Sequence, residues 1–323
     1  TASNNTAVGT DSLGANTTAS YNTAVGYASL GANTTGTSNT AVGYTALTAN
    51  TTGVENIAVG RQALESNTTG YENVAVGRGA AEKITTGGRN VALGDMAMGA
   101  ATTTDRSISI GHNTGGSSGV MTGNDNVSMG YFAGRQLSSG ANNVLIGSNA
   151  GTGANSGSNN TAVGESSLQS LTTGSGNVAI GSASGGQGDM INISTESNRA
   201  VFGHASITNS YVEVDWTVTS DARDKMNFAA VPHGLSFVND LQPIKFDFKK
   251  SRDDATTHGT TKYGFKAQDI LALEGDNPII IDNENEDSLK ITNSHLIPVL
   301  VNAIQELSTK NDALVARITA LEG

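Results

Sequence analysis

A short pattern of alternating aliphatic and small residues, closed by a glycine, recurs along the first two thirds of the chain. It reads Asn-Thr-Ala-Val-Gly at 5–9, 22–26 and 39–43, Asn-Val-Ala-Leu-Gly at 90–94 and Asn-Val-Leu-Ile-Gly at 143–147. Successive closing glycines are 17 residues apart six times, and then 19, 17, 17, 17 and 22 apart. A near-fixed period of this kind is typical of a solenoid in which each repeat forms one rung.

Each repeat predicts a short strand. Aliphatic or β-branched side chains at the second and fourth positions flank an alanine or serine, which is a period of two. We expect the small face to meet a close neighbour and the aliphatic face to fill a core, while the closing glycine suits a bend that a β-carbon would obstruct. Segments such as 12–18 and 29–36 are predicted to add a second short strand and a turn. Twelve rungs would make a rod of roughly 55 Å.

A rung this thin buries little apolar surface by itself, so we expect several chains to share one core. A disordered low-complexity tract is the alternative, and the strict aliphatic periodicity argues against it. The repeats resemble the left-handed β-roll heads of trimeric autotransporter adhesins and, equally, the glycine-rich shafts of phage tail fibres. The resemblance implies a mainly β, trimeric β-solenoid or β-roll.

The pattern changes near residue 220, since 35 of the 40 glycines lie before it. A strand is predicted at 210–218, just before the change. Beyond it the pattern predicts a small α+β region, with strands at 244–250 and 277–282. Residues 263–273 are predicted to begin as a strand and to continue as a helix.

The chain closes on a heptad pattern that predicts a coiled-coil helix. Pro298 fits its first turn, where a missing N–H costs nothing. Asn311 at a core position would set the register at some cost in stability. Isoleucine at a with leucine at d favours two strands, so this pattern alone leaves dimer and trimer open. The a positions are Ile297, Ile304, Asn311 and Ile318, and the d positions are Leu300, Leu307, Leu314 and Leu321.

Composition excludes several functional classes. The net charge is −11 and no Lys/Arg patch stands out, which argues against a nucleic-acid partner. There is no cysteine for a disulfide or a thiolate metal site, and no apolar run approaches the roughly 20 residues of a membrane helix. We therefore expect no membrane insertion.

No metal or cofactor is expected, because the histidines are scattered without ligand spacing. They are His112, His204, His233, His258 and His295. Asn-Thr-Thr triplets match a glycosylation pattern, but they recur at one place in each repeat and are better explained as turn residues. These triplets begin at Asn16, Asn33, Asn50 and Asn67.

The junction at 220–225 reads Ser-Asp-Ala-Arg-Asp-Lys and holds a candidate nucleophile and base, Ser220 and Lys225. A serine hydroxyl needs a base to take its proton, and a lysine can do so only when it is neutral. Arg223 would favour that form, whereas Asp221 and Asp224 would oppose it unless they pair with Arg223. From the residues alone, a charged turn with Asp/Arg pairing and with Ser220 as a helix N-cap is the stronger interpretation.

Several segments in order resemble a known domain. Residues 219–225, 234–249, 263–270 and 296–322 together are similar to the C-terminal intramolecular chaperone domain of endosialidase-type phage tail spikes and fibres. In that family the domain trimerises, guides folding of the β-structured fibre before it, and then cuts itself off immediately before the serine of the motif.

The resemblance implies that Thr219–Ser220 is the scissile bond, with Ser220 as nucleophile and Lys225 as base, supported by the neighbouring Asp221 and Arg223. Cleavage in cis through an N-to-O acyl shift and attack by Ser220 of a neighbouring chain both remain open. Gln268 is a candidate oxyanion or positioning group, with a buried structural amide as the more ordinary alternative.

These observations predict four segments: a solenoid shaft or head (1–188), a transition up to the cleavage site (189–219), an α+β intramolecular chaperone (220–295) and a coiled-coil helix (296–323). The expected protein is a homotrimeric phage tail-fibre segment, assembled in the host cytoplasm and carried by the virion. It would attach to a host-cell receptor, either a glycan or an outer-membrane component.

Two other functions were weighed. A bacterial trimeric adhesin with a β-roll head is the alternative, although such a protein is expected to end in a membrane anchor rather than in a coiled coil. A glycan-degrading tail spike would need carboxylates gathered in a groove, and no recurring carboxylate pair marks one.

Overall fold

The computed structural model describes residues 2–186, 191–204, 206–208, 210, 211, 213, 218, 220–249 and 254–322. The chain divides into two units, Thr1–Ala205 and Ser206–Gly323.

The first unit stacks one three-residue strand per repeat into a parallel sheet whose strand order follows the chain. Each residue pairs with its equivalent in the next repeat, as Ala24 does with Ala41. The predicted β-solenoid with rungs of about 17 residues is confirmed. The strands described are β1 Thr6–Val8, β2 Thr23–Val25, β3 Thr40–Val42, β4 Ile57–Val59, β5 Val74–Val76, β6 Val91–Leu93, β7 Ile108–Ile110, β8 Val127–Met129, β9 Val144–Ile146, β10 Thr161–Val163, β11 Val178–Ile180 and β12 Ala200–Phe202.

The central residue of each strand from β2 to β12, rather than the flanking pair, lies inside the rung, and it is an alanine or serine except for Leu145 and Val201. Ala58 is fully buried, whereas Ile57 beside it is 41% exposed. The opposite wall of the rung supplies a larger side chain, such as Leu47 or Leu64, also fully buried. Because the two walls are close, an alanine or serine is what fits between them. The expectation that the aliphatic face fills the core is therefore wrong for the single chain, where that face lies outside.

The segments between strands form consecutive turns, so the second strand predicted for stretches such as 29–36 is wrong for the described rungs. Leu30, Leu47 and Leu64 instead hold the left-handed backbone conformation, with φ of 49°, 52° and 50°. This conformation costs an L-residue roughly 1–2 kcal/mol. It places the leucine side chain in the rung interior, where burial offsets the cost.

The asparagine that opens the five-residue motif, such as Asn56 in 56–60, forms a buried ladder along the rod. The Asn56 side chain donates to Gly70 O (2.8 Å), and its Oδ1 accepts the backbone N–H of Asn73 (3.1 Å). Buried amides are stabilised when both donor and acceptor are used in this way. The buried members described are Asn22, Asn39, Asn56, Asn73, Asn90, Asn126, Asn143, Asn160 and Asn177.

The Asn-Thr-Thr triplets supply a second, shorter ladder. Asn33, Asn50 and Asn67 are fully buried. Asn50 Nδ2 donates to Asn33 Oδ1 (2.9 Å) and to Gly53 O (3.0 Å), which closes its turn. Their burial inside the rod supports the interpretation of these asparagines as turn residues.

The closing glycine is required by the stacking of the rungs. Gly94 has a φ of +130°, which L side chains rarely adopt. A β-carbon there would lie 2.5 Å from the carbonyl oxygen of Gly111 in the next rung. Any other residue would have to push the two rungs apart.

The second unit is a small α+β arrangement. β13 and β14 pair as an antiparallel hairpin, and β15 and β16 pair as a second, very short one. The elements are a 3-10 helix Ala222–Asp224, α1 Leu235–Asp240, β13 Ile244–Lys249, β14 Thr257–Gly264, α2 Ala267–Glu274, β15 Ile281–Asp282, β16 Lys290–Ile291, a 3-10 helix Asn293–His295 and α3 Leu296–Glu322.

The strand predicted at 244–250 is confirmed as β13, although residue 250 lies outside the described residues. The change from strand to helix within 263–273 is confirmed by β14 and α2. The strand predicted at 210–218 falls largely outside the described residues.

The strand predicted at 277–282 is wrong except for its last two residues, Ile281 and Asp282. The Glu274 carboxylate accepts the backbone N–H groups of Ile279 (2.8 Å), Ile280 (2.7 Å) and Ile281 (3.0 Å). These bonds tie the segment to the end of α2 instead of to a strand partner.

Helix α3 confirms the predicted C-terminal helix, with Pro298 in its first turn. Leu296, Val299 and Ala303 pack into the core of the second unit. The apolar residues at positions a and d are exposed in the single chain, which is consistent with a coiled coil. Their exposed fractions are 61% for Ile297, 42% for Leu300, 65% for Ile304, 54% for Leu307, 57% for Leu314, 54% for Ile318 and 80% for Leu321.

We predict that Asn56→Ala lowers the free energy of unfolding by about 1–3 kcal/mol, because it leaves the buried N–H of Asn73 without its acceptor and removes one of the two amide donors to Gly70 O. Asn56→Ser is the matched control. Ser107 occupies the same position in another rung, and its Oγ accepts the backbone N–H of Asn126 at 3.2 Å. Urea unfolding should show a smaller loss in the free energy of unfolding for Asn56→Ser than for Asn56→Ala. Equal losses would contradict the role assigned to the ladder.

Candidate functional site

The two residues singled out at the junction lie together. Lys225 Nζ donates a hydrogen bond of 2.7 Å to Ser220 Oγ. The 3-10 helix Ala222–Asp224 lies between the two residues and turns the chain back, so that Lys225, extended at its C-terminal end, reaches Ser220. Both residues are exposed in the single chain.

The N-cap of this 3-10 helix is Asp221, so the alternative in which Ser220 caps a helix is wrong. The Asp221 carboxylate accepts Arg223 N–H (2.9 Å) and Arg223 Nε–H (3.1 Å). The side-chain hydrogen bond from Arg223 lowers the pKa of Asp221, with the backbone hydrogen bond as the second cause. The Asp221 carboxylate is thus paired with Arg223, and the Ser220 hydroxyl is hydrogen-bonded to Lys225.

The other candidates are not gathered at this pair. Thr219, on the far side of the predicted scissile bond, lies outside the described residues. Gln268 is exposed in the first turn of α2, so the alternative of a buried structural amide is wrong. No hydrogen bond between described residues joins Gln268 to Ser220 or Lys225.

Ser220 can act as a nucleophile once its hydroxyl proton has been transferred to the amine of Lys225. A charged amine only donates, whereas a neutral amine can accept the proton of a hydroxyl. Burial and nearby cations favour the neutral form of an amine. In the single chain water reaches both Ser220 and Lys225. Ser220 and Lys225 are in contact, but nothing in the described chain encloses them.

Sequence reasoning missed a cavity of about 500 Å³ in the second unit. Its walls come from separate stretches around residues 227–233, 274–280 and 295–299, which no local pattern connects. His295 Nδ1 bonds to Ile279 O (2.8 Å), and His233 stacks on Phe237 with 4.3 Å between ring centroids. Because these polar groups are used internally, the cavity offers a mainly apolar surface.

The described residues contain no group of three or more His, Asp or Glu side chains placed to hold a metal ion. Among the described helices, none has both the length and the apolar character needed to cross a membrane.

We predict that Arg223→Gln, in an uncleaved Ser220→Ala background, raises the pKa of Asp221 toward that of an ordinary aspartate. The lowered pKa means that the pair stabilises the turn above the ordinary aspartate pKa, and that this contribution is lost as the pH falls through the lowered value. The measurement is a pH titration of carboxyl-labelled aspartate by NMR. Arg317→Gln is the control and should leave Asp221 unchanged. An unchanged Asp221 in Arg223→Gln would contradict the pairing.

Comparison with known proteins gives one match. Residues 220–276 match the family model described as chaperone of endosialidase, a family of peptidases. No curated protein and no solved structure matches the chain. The matched segment begins at Ser220 and covers the 3-10 helix, α1, the β13–β14 hairpin and α2. This match and the preceding β-solenoid of about 17-residue rungs together fit a tail fibre that carries an endosialidase-type chaperone domain.

Proposed function

We propose that this chain is a segment of a phage tail fibre for host-cell attachment, assembled in the host cytoplasm and carried by the virion. Its C-terminal chaperone drives homotrimerisation and folding, and then releases itself by cutting the Thr219–Ser220 bond. The observation that carries the proposal is the 2.7 Å contact between Lys225 Nζ and Ser220 Oγ, at the first residue of the family match.

The chemistry is a single acyl transfer followed by hydrolysis. Ser220 Oγ attacks the carbonyl carbon of residue 219 while Lys225 Nζ takes the hydroxyl proton. The C–N bond breaks, the nitrogen leaves as the amine of residue 220, and an ester links residue 219 to Oγ. Water then hydrolyses the ester to a carboxylate and a free hydroxyl. Attack within one chain and attack by Ser220 of a neighbouring chain give the same products.

Assembly supplies the enclosure that the single chain lacks. The exposed a and d side chains of α3 would pack against two other copies of this helix. Packing three copies would bring a second surface near 220–225 and remove water from the pair. Removing water favours a neutral lysine, so cleavage would follow assembly rather than precede it.

The rod carries its own apolar face for association. The outer side chains of the strands form a stripe that runs from rung to rung. Ile57 (41%), Val76 (39%), Ile108 (37%) and Ile180 (43%) are among its exposed members. A continuous exposed apolar surface of this kind marks a protein interface. Three copies would bury the stripes against one another as a shared core.

A C-terminal chaperone answers the kinetic difficulty of such a rod. Rungs with nearly identical sequence can pair in the wrong register, and parallel pairing between distant residues is slow. A trimer formed at the C-terminal end raises the effective concentration of the three chains and sets their alignment. Release of the chaperone then removes the template, so that disassembled rods cannot readily reform.

We expect the wild-type chain to yield two fragments on a denaturing gel, residues 1–219 and 220–323. Ser220→Ala should give one band, because the attacking hydroxyl is gone, and Lys225→Gln should give one band or very slow cleavage. Lys262→Gln, which removes an exposed lysine from β14, is the matched control and should cleave like the wild type. If the wild type stays uncut but still forms trimers, the domain is a chaperone that does not cleave itself. If Ser220→Ala is cut, Ser220 is not the nucleophile.

We expect Ile57→Asp to reduce the fraction of trimer, because it places a charge on the stripe that the three rods would bury. Thr52→Asp adds the same charge at an exposed turn position nearby and serves as the control. Sedimentation of the uncleaved Ser220→Ala forms would give the masses. If Ile57→Asp assembles as fully as Thr52→Asp, the stripe is not the interface.

A further inference from the structure

An aromatic cluster lies on the surface of the rod where one rung meets the next. The rings of His112 and Tyr131 stack one rung apart, with centroids 5.5 Å apart and planes within 11°. Phe132 adjoins Tyr131 at 3.9 Å. Tyr131 is 51% exposed. The three rings together form an aromatic platform at one corner of the rod.

A cation borders this platform, and none of the described carboxylates forms an ion pair with it. The guanidinium carbon of Arg135 lies 4.5 Å from the centre of the Phe132 ring. Its Nε is buried and has no hydrogen-bond partner among the described residues. Buried donors in native proteins are normally satisfied, so an unsatisfied one calls for an explanation.

Three other arginines of the rod are paired with carboxylates. Arg78, Arg89 and Arg106 each form an ion pair with a carboxylate in the adjoining rung, at 2.7, 3.0 and 2.7 Å. Arg89 also lies 5.3 Å over the ring of Tyr71, but there the cation is neutralised by Glu72. Among the described residues, Arg135 has the ring contact without a carboxylate beside it.

One of the two departures of the repeat from its period adjoins this cluster. Val127 pairs with Ile108 across 19 residues instead of 17. The longer connection contacts the backbone of Arg135, since Ser118 donates its N–H (3.2 Å) and its Oγ–H (3.1 Å) to the Arg135 carbonyl oxygen. In solenoids, insertions of this kind lie on one face, which is often the binding face.

We propose that His112, Tyr131, Phe132 and Arg135 form a binding site for an acidic sugar unit of a surface glycan. The apolar C–H face of a pyranose ring stacks on an aromatic platform, and a uronic-acid carboxylate supplies the anion that Arg135 lacks. This inference rests on the proposed attachment function and names its ligand class and its site.

A second aromatic pair on the rod provides the comparison. Tyr27 and Tyr44 occupy the same position of the repeat and stack with centroids 5.3 Å apart. No described arginine lies over either ring, and the repeat keeps its 17-residue period there. This pair therefore tests the aromatic stack without the cation and without the insertion.

The test is binding of the purified full chain, after its own processing, to a printed array of defined bacterial oligosaccharides. The array carries uronic-acid-containing glycans, the methyl esters of the same glycans, and neutral glycans. We expect binding to acidic glycans and weaker binding to their methyl esters. Tyr131→Ala and Arg135→Gln should each lower the affinity for the acidic glycans by about tenfold or more, whereas Tyr44→Ala should retain it.

Three outcomes would overturn the site: no acidic glycan binds, Tyr131→Ala and Arg135→Gln bind like the wild type, or either variant changes the solution mass of the assembly. The last outcome would make the platform an interface between copies of this chain. Gel and mass measurements on the same samples separate this inference from the proposed function. A trimer that is cleaved but binds no glycan would contradict the glycan site and support the proposed chaperone function. A chain that stays uncut but binds acidic glycans would support the glycan site and contradict the proposed cleavage.

Discussion

The stacking of each rung on the next is the constraint on which the rod depends. Parallel backbone bonds join equivalent residues of adjacent repeats, and the buried asparagines carry further bonds across the same gap. The closing glycine keeps that gap short, as the close approach of Gly94 to Gly111 demonstrates. Within a rung the two walls also lie close together, so the inner strand position is an alanine or serine in most rungs and the flanking aliphatic residues lie outside. The exposed apolar stripe is thus a consequence of how thin each rung is.

In the single chain both units expose apolar surface, and the candidate pair at the junction is open to water. The rod exposes the aliphatic side of its strands, and α3 exposes the seam that runs through Ile304, Leu307 and Leu314. At the junction, Ser220 and Lys225 touch but remain open to water. Trimerisation would meet all three deficits in one event, which links folding of the rod to activation of the cut. Under the proposed function, in which cleavage requires enclosure, a chain that has not assembled would keep its chaperone.

Periodic features could be predicted from sequence because they depend on local pattern. The 17-residue spacing predicted the rungs, and the heptads predicted α3. Features that depend on three-dimensional closeness could not be predicted. The aliphatic face was assigned to the wrong side because sequence does not reveal how near the two walls of a rung lie. Leu47 in a left-handed turn looks like a strand residue in sequence. Glu274 bonds three backbone N–H groups, and the strand that the run of isoleucines predicts is limited to Ile281 and Asp282. Ser220 and Lys225 were a candidate pair from the junction sequence, the resemblance strengthened their assignment, and the structure adds their contact.

The central claim is that assembly completes the cleavage site. Native mass spectrometry of the refolding wild-type chain, sampled over time, tests it most directly, because it reports chain number and covalent state in the same particle. The account predicts that uncut monomers are followed by uncut trimers, and that cut chains are found first in trimeric particles. Cut chains in monomeric particles, before any trimer has formed, would contradict it.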